Sequence, residues 1–207
     1  GLPHQSVATC RDDALRTLEL APDRLSVFGY AHVPQMRKHQ RLLPEALLPD
    51  GPERADQFDA IAEVLTDAGY VRIGLDHFAR PDDGMAKALR DGTLHRNFQG
   101  YSTDPADALI GLGTTAIGSL PEGYAQNHAH LGDYCKAILA GELPVGRGRP
   151  VTLHDLARRT IINRLMCDGT VDLAEVAARH RLPVADLGPD RNRLAPLLAD
   201  GLVEEVG

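Results

Sequence analysis

Cysteine is scarce and scattered in this chain. Only Cys10, Cys135 and Cys167 occur in 207 residues. An odd number at such wide spacing argues against a disulfide framework and against a local thiolate metal site, which leaves reduced thiols as the expectation. Long apolar runs are missing as well. The longest uncharged apolar stretch, Ala108 to Leu120 (ALIGLGTTAIGSL), is interrupted by glycines and is too short to cross a bilayer, so no membrane span is expected. The opening GLPHQSVATC has neither a basic start leading into an apolar run nor a small-residue cleavage site. No secretory signal is read there, and a cytoplasmic setting is the expectation. Excess positive charge is also lacking. A formal net charge of -7 gives no general attraction for nucleic acid or anionic lipid, so an anionic ligand needs a local basic patch.

What is present suits a folded protein. With 43% hydrophobic residues over 207 positions, the chain can bury one large core, or one domain plus a small appendage. Helical periodicity predicts a helix over Ser6 to Leu20 and another over Gln57 to Ala68, with Gly69 as its cap. A further helix is predicted over Gly84 to Arg90. Strands are predicted in Arg24 to Val33, ending near Tyr30, in Tyr70 to Asp76, and in Ala108 to Gly113. Alternation at this spacing predicts βα units and a parallel sheet, with ligands bound beyond the strand ends, where the YAH, DHFA and GTTAIG segments fall. Three strands are too few to close a barrel, so the sheet is expected to be incomplete at its N-terminal edge.

After Ala140 to Pro150, read as a Gly- and Pro-rich loop, the pattern becomes helical. Leu153 to Met166, Leu173 to His180 and Arg191 to Asp200 are predicted helices, followed by GLVEEVG as the first strand of a wing. That order suits a winged-helix module. As a DNA reader it is poorly equipped: Val151 to Gly207 has seven Arg against nine acidic residues, which favours a structural or lid role.

Several clusters could carry chemistry. Asp76-His77 and His32 at strand ends, with His128 and His130, have the chemistry but not the spacing of a metal site. None of the cysteines has a neighbouring His or nucleophile-elbow glycines. Arg37, Lys38 and Arg41 in MRKHQR form either a solvated face or a carboxylate clamp, and position alone favours the former. GLGTTAIG lacks the Lys of a Walker loop and the full dinucleotide glycine pattern, yet allows close backbone approach to a flat ligand such as a nucleoside. In HRNFQGY, the packed polar side chains read either as a hydrogen-bonded polar core or as the wall of a site.

Five segments together carry a specific resemblance: GLPHQS, PDRLSVFGYAHVP, GYVRIGLDHFARPDD, LHRNFQGYST and GLGTTAIG followed by YAQN. From Gly1 to about Asp168 the chain resembles the oxygen-independent coproporphyrinogen III oxidase family, radical S-adenosylmethionine enzymes of haem biosynthesis. The related haem-chaperone branch shares that fold but lacks DHFARPDD and HRNFQGY. The resemblance implies an α/β fold in which residues 1–145 form the second half of a radical-SAM parallel β/α barrel. Residues 146–207 would form a small, truncated, helical winged-helix-like domain.

It also implies a chemistry. A 4Fe-4S cluster on a Cys-x3-Cys-x2-Cys motif, fed by an electron donor, cleaves S-adenosylmethionine to a deoxyadenosyl radical. The radical takes hydrogen from a propionate of coproporphyrinogen III, carbon dioxide leaves, and two such conversions give protoporphyrinogen IX. This chain contains no Cys-x3-Cys-x2-Cys, so it is expected to be an internal fragment that is inactive alone. The resemblance places Ala31, Ile117 and Gln99 at S-adenosylmethionine-contacting or adjacent cavity positions. Tyr30, His32, Asp76, His77, Arg96 and Tyr101 are carried over as cavity lining, and Arg37, Lys38 or Arg41 as holders of substrate propionates. Two other readings compete: a non-catalytic tetrapyrrole- or haem-binding module, and a metal-dependent hydrolase.

Overall fold

A computed structural model describes residues 1–97, 100–188 and 191–206. The chain divides into two compact units, the first comprising Gly1–Thr103 with Met166–Asp168, the second Asp104–Leu165 with Gly169–Gly207.

In the first unit, helix α1 (Val7–Glu19) starts where Ser6 and Thr9 form a reciprocal capping box, and α2 (Gly51–Asp67) starts on the equivalent Asp50–Glu53 box with a proline in its first turn. Such boxes satisfy the orphan amides of a first turn. The two helices pack together, burying Cys10 and Ala14 of α1 and Ala60, Val64 and Leu65 of α2. Burial raises the Cys10 thiol above its ordinary range, and Asp13 adds to the effect. Strands β1 (Arg24–Ser26), β2 (Val71–Ile73) and β3 (His77–Ala79) form a sheet ordered β1-β3-β2. Helix α3 (Gly84–Arg90) is capped by Asp83, whose carboxylate accepts from Met85 N–H and from Arg24 Nε. Burial alone would raise the Asp83 carboxyl, but the Arg24 and Met85 hydrogen bonds prevail and hold it below the usual carboxylate range. A hairpin of β4 (His95–Asn97) and β5 (Gly100–Ser102) follows. The core gathers Ile73, Ala79, Met85, Ala86, Leu94 and Tyr101, together with Cys167.

The second unit holds an antiparallel sheet of β6 (Ile117–Leu120), β7 (Gly123–Asn127) and β8 (Val145–Pro150), with α4 (Leu131–Leu139) between β7 and β8. Its helices are α5 (Leu153–Asp168, of which the last three residues count with the first unit), α6 (Leu173–His180) and α7 (Arg191–Ala199). Ala157, Val176, Ala177 and Leu187 form their core.

Five expectations are corrected. The mixed α/β composition with a helical C-terminal part stands, but every strand pair registered among the described residues is antiparallel. β1 and β2 do run the same way, with β3 inserted between them, so the expected parallel barrel pairing is absent from these residues. The strand expected to end near Tyr30 ends at Ser26. Beyond it, Val27 N–H donates to the Asp76 carbonyl, and the backbone at Ala31 and Val33 is taken up by a side chain, Gln40. Ala108 to Gly113 forms only an isolated bridge, Leu109 to Ser119, because Gly111 and Gly113 give their carbonyls to the Asn127 amide. The loop expected over 140–150 contains β8, whose pairing with β7 outweighs its Gly and Pro content, and no wing strand occurs in residues 201–206.

Candidate functional site

In the first unit the chemistry converges where the β2–β3 turn meets the β4–β5 hairpin. His77 opens β3, and its Nδ1 lies 2.7 Å from Asp76 Oδ1. Its ring stands edge-on to Tyr101 at 5.1 Å and to Phe28 at 5.6 Å between centroids. With the carboxylate accepting from Nδ1–H, the tautomer is set so that Nε2 can accept a proton or, when charged, donate one. Nε2 has no hydrogen-bond partner among the described residues. Tyr101 is fixed in turn. Its hydroxyl accepts from Leu75 N–H at 3.0 Å and donates to the Met166 carbonyl at 3.1 Å, and Arg96, paired across the hairpin, lies with Cζ 5.7 Å from its ring centre. The hydroxyl reaches Leu75 because position 74 is glycine at φ +58, where a Cβ would overlap it.

A second group lies just past β1. Tyr30 and His32 have ring centroids 6.0 Å apart. Among the described residues, both His32 nitrogens are buried without an aligned hydrogen-bond partner, although Nε2 comes within 3.4 Å of Glu45 Oε1. Ala31 is exposed and offers almost no side-chain bulk, while its carbonyl accepts from Gln40 Nε2 at 3.0 Å. Gln40 Oε1 accepts from Val33 N–H at 2.6 Å, so one buried amide shapes the whole Ala31–Val33 segment. Arg37, Lys38 and Arg41 stand on or beside the 3-10 helix Lys38–Leu42, all exposed, and none forms an ion pair among the described residues.

The structure thus brings Asp76, His77, Arg96 and Tyr101 into contact and sets Tyr30 beside His32. Ile117 belongs to the second unit, at the start of β6. Gln99 lies outside the described residues. Among the described residues of HRNFQGY, Tyr101 is 7% exposed and in the core, while Arg96 and Asn97 are exposed.

Sequence reading does not reveal the organising roles of five residues, Gln40, Arg54, Gln126, Asn127 and Tyr134. Gln40 was counted only with its basic neighbours, although a lone amide among charges is the signal that marks it. Arg54 lies over Gly29, where a Cβ would stand 2.5 Å from its Nη2. Asn127 Nδ2 bonds the Gly111 and Gly113 carbonyls at 2.9 Å each, Gln126 bonds Thr115 O at 2.9 Å, and Tyr134 accepts from Gly113 N–H at 3.2 Å. Together these brace the GLGTT loop of the second unit.

The residues present do not suit an iron–sulfur cluster. Cys10 is buried in α1, Cys167 is buried in the first unit's core, and Cys135 is exposed on α4. Among the described residues no three His, Cys, Asp or Glu groups gather as they would around a metal ion. Nor, among them, is any helix long and apolar enough to cross a membrane.

Residues 151–207 match the family model of the HemN C-terminal domain. The chain is 53% identical to the oxygen-independent coproporphyrinogen III oxidase of Bradyrhizobium diazoefficiens, over 98% of its own length and 45% of that protein's. It is 42% identical to the enzyme of the same name from Escherichia coli, over 99% of this chain and 45% of that one. Among solved structures, one described as "Coproporphyrinogen III oxidase (HemN) from Escherichia coli is a Radical SAM enzyme" superposes with a TM-score of 0.92 at 40% identity. It covers 100% of this chain and 48% of that one. Along almost its whole length the chain is thus similar to oxygen-independent coproporphyrinogen III oxidases, and it spans about half the length of the curated relatives it matches.

Proposed function

We propose that these residues are the C-terminal part of an oxygen-independent coproporphyrinogen III oxidase, a cytoplasmic radical-SAM oxidoreductase that converts two propionates of coproporphyrinogen III to vinyl groups, giving protoporphyrinogen IX. The observation that supports this most is similarity along the whole chain, 53% identity over 98% of it, to a protein bearing that name. The relatives' names give no support to a non-catalytic tetrapyrrole-binding module.

S-adenosylmethionine supplies the hydrogen-abstracting chemistry in this reading, and Ala31, Ile117 and Gln99 are the positions of this chain that would contact it. Ala31 suits that role, since it is exposed and lacks bulk while its carbonyl is already satisfied by Gln40. The ligands of a 4Fe-4S cluster, and the contact for its electron donor, would be supplied by sequence outside these residues, so the chain alone would be inactive. Its own residues would shape the cavity. Asp76 fixes the His77 ring, whose Nε2 can then hold a proton toward a substrate carboxylate or pyrrole. Tyr30, His32, Arg96 and Tyr101 would line the same cavity, and Arg37, Lys38 or Arg41 would meet propionates at its rim. In the same reading the barrel part ends near residue 145 and the family's C-terminal domain follows.

Anaerobic assay of the full-length protein, reconstituted with iron, sulfide and S-adenosylmethionine, tests this. Porphyrin chromatography should show coproporphyrinogen III consumed and protoporphyrinogen IX formed. A reconstituted protein with its cluster in place that leaves coproporphyrinogen III untouched would overturn the reading.

A further inference from the structure

The second unit's sheet presents its side chains in rows. Ile117, Gln126 and Arg147 are directly paired across the three strands, and Ser119, Tyr124 and Arg149 form the next row. Directly paired residues of an antiparallel sheet project to one face, so this face carries two arginines on β8. That strand is the sheet's edge and is exposed along its whole length. A third guanidinium joins from α5: Arg159 Nη1 donates to Ser119 Oγ at 3.2 Å, and its Cζ lies 6.0 Å from the centre of the Tyr124 ring.

The hydrogen-bond partners of Arg147 and Arg159 are neutral. Arg147 Nε donates to Gln126 Oε1 at 2.6 Å, and the same amide is anchored through Nε2 to the Thr115 carbonyl at 2.9 Å. Among the described residues, no carboxylate lies within ion-pair distance of Arg147, Arg149 or Arg159. Asp155 is the acid that senses this face. Its carboxyl is held below the usual range first by hydrogen bonds from Thr152, and only after these by Arg149 and Arg158. In a chain of net charge -7, cations that are positioned by neutral groups and left uncompensated are built to receive charge from outside.

We infer that the β6–β7–β8 face, through Arg147 and Arg159 with Tyr124 between them, is a carboxylate-binding surface for a tetrapyrrole bearing several propionates. Resting on the oxidase reading, this deepens it by naming residues in the second unit that grip the substrate. Guanidinium forks take carboxylates by two parallel hydrogen bonds. Arg147 retains its Nη groups for this, because Gln126 engages Nε alone. The Tyr124 ring and Ile117 supply apolar contact between the charged groups, which suits an apolar macrocycle with an anionic rim.

The test is fluorescence titration of the full-length protein with coproporphyrin III, the oxidised and unreactive tetrapyrrole, at several salt concentrations. Coproporphyrin III tetramethyl ester serves as the uncharged comparison. Arg147→Gln and Arg159→Gln should each weaken coproporphyrin III binding about tenfold, the loss expected for one charge-assisted contact, and flatten its salt dependence. Arg147→Lys should retain most of the affinity, and the ester should bind weakly to every form. Arg147 lies on an exposed edge strand, so its variants stay informative if Arg159→Gln fails to fold. Unchanged binding in Arg147→Gln, or an ester bound as tightly as the free acid, overturns the inference while leaving the oxidase reading in place. A wild-type protein that binds no coproporphyrin III also overturns the inference, whereas the oxidase reading falls only if the reconstituted protein leaves coproporphyrinogen III untouched.

Discussion

Tyr101 reaches Leu75 through the space that a side chain at position 74 would fill, its hydroxyl accepting Leu75 N–H at 3.0 Å across a glycine held at φ +58. The same hydroxyl donates to Met166 O at 3.1 Å, so one buried phenol secures the turn before His77 and the end of α5 at once.

Gly74→Ala should therefore cost about 2 kcal/mol or more, combining left-handed backbone strain with overlap on the phenol. In a Tyr101→Ala background the overlap is gone, and the added cost should fall to the backbone part, about 1–2 kcal/mol. Denaturant midpoints for the four members of this cycle give the answer, and an additive cycle would contradict the packing described.

Tyr101→Phe keeps the ring against His77 but leaves the Leu75 amide and the Met166 carbonyl without their partner. A loss of about 1–3 kcal/mol is expected, measured as the shift in unfolding midpoint. An unchanged midpoint would mean that neither bond matters in solution.

His180 should make the second unit sensitive to mild acid. Burial first, then Arg179 and Arg159, hold its pKa below the ordinary 6.5, while Thr160 Oγ1 lies 2.9 Å from its Nε2. Below pH 6.5 the unfolded chain takes up a proton that the folded histidine resists, so stability falls as pH drops from 6.5 toward the lowered value. Unfolding midpoints between neutral pH and mild acid should show that slope, and His180→Gln should flatten it. An equal slope in the variant would assign the effect to other groups.

Asp76→Asn removes the carboxylate that orients His77. In the reconstituted full-length enzyme a drop of at least about tenfold in kcat is expected, with a shifted pH–rate profile and stability almost unchanged. A pH profile identical to wild type would leave Asp76 a purely structural role.

Replacing Arg37, Lys38 and Arg41 together by Gln should raise the KM for coproporphyrinogen III several-fold while changing stability by less than about 0.5 kcal/mol, as expected for exposed unpaired cations. Identical affinity for substrate would return them to a solvated face.

What could be read from the chain followed from how local each signal is. Gly84–Arg90 was legible residue for residue because Asp83 caps it and the apolar positions fall within two turns. α1, α5 and α6 were legible for the same reason. Sheet pairing was not, since alternation of strand and helix says nothing about which strand lies between two others, and here β3 separates β1 from β2. β8 was hidden because VGRGRP has the composition of a loop, and only pairing with β7 makes it a strand. At the site, His77 and Tyr101 stood out by motif, whereas Gln40 acts on backbone nine residues away and leaves no local pattern.

α5 has a consequence for anyone cutting this protein apart. The family's C-terminal domain begins at residue 151, yet Met166–Asp168, some fifteen residues further on, lie in the first unit, and Cys167 fills part of its core. An exchange of modules between relatives at the sequence boundary would carry those three residues away with the donor's helix. The first unit would inherit a stranger's plug, so the splice that preserves both units runs through the helix, at Leu165 and again at Gly169, and not in front of it.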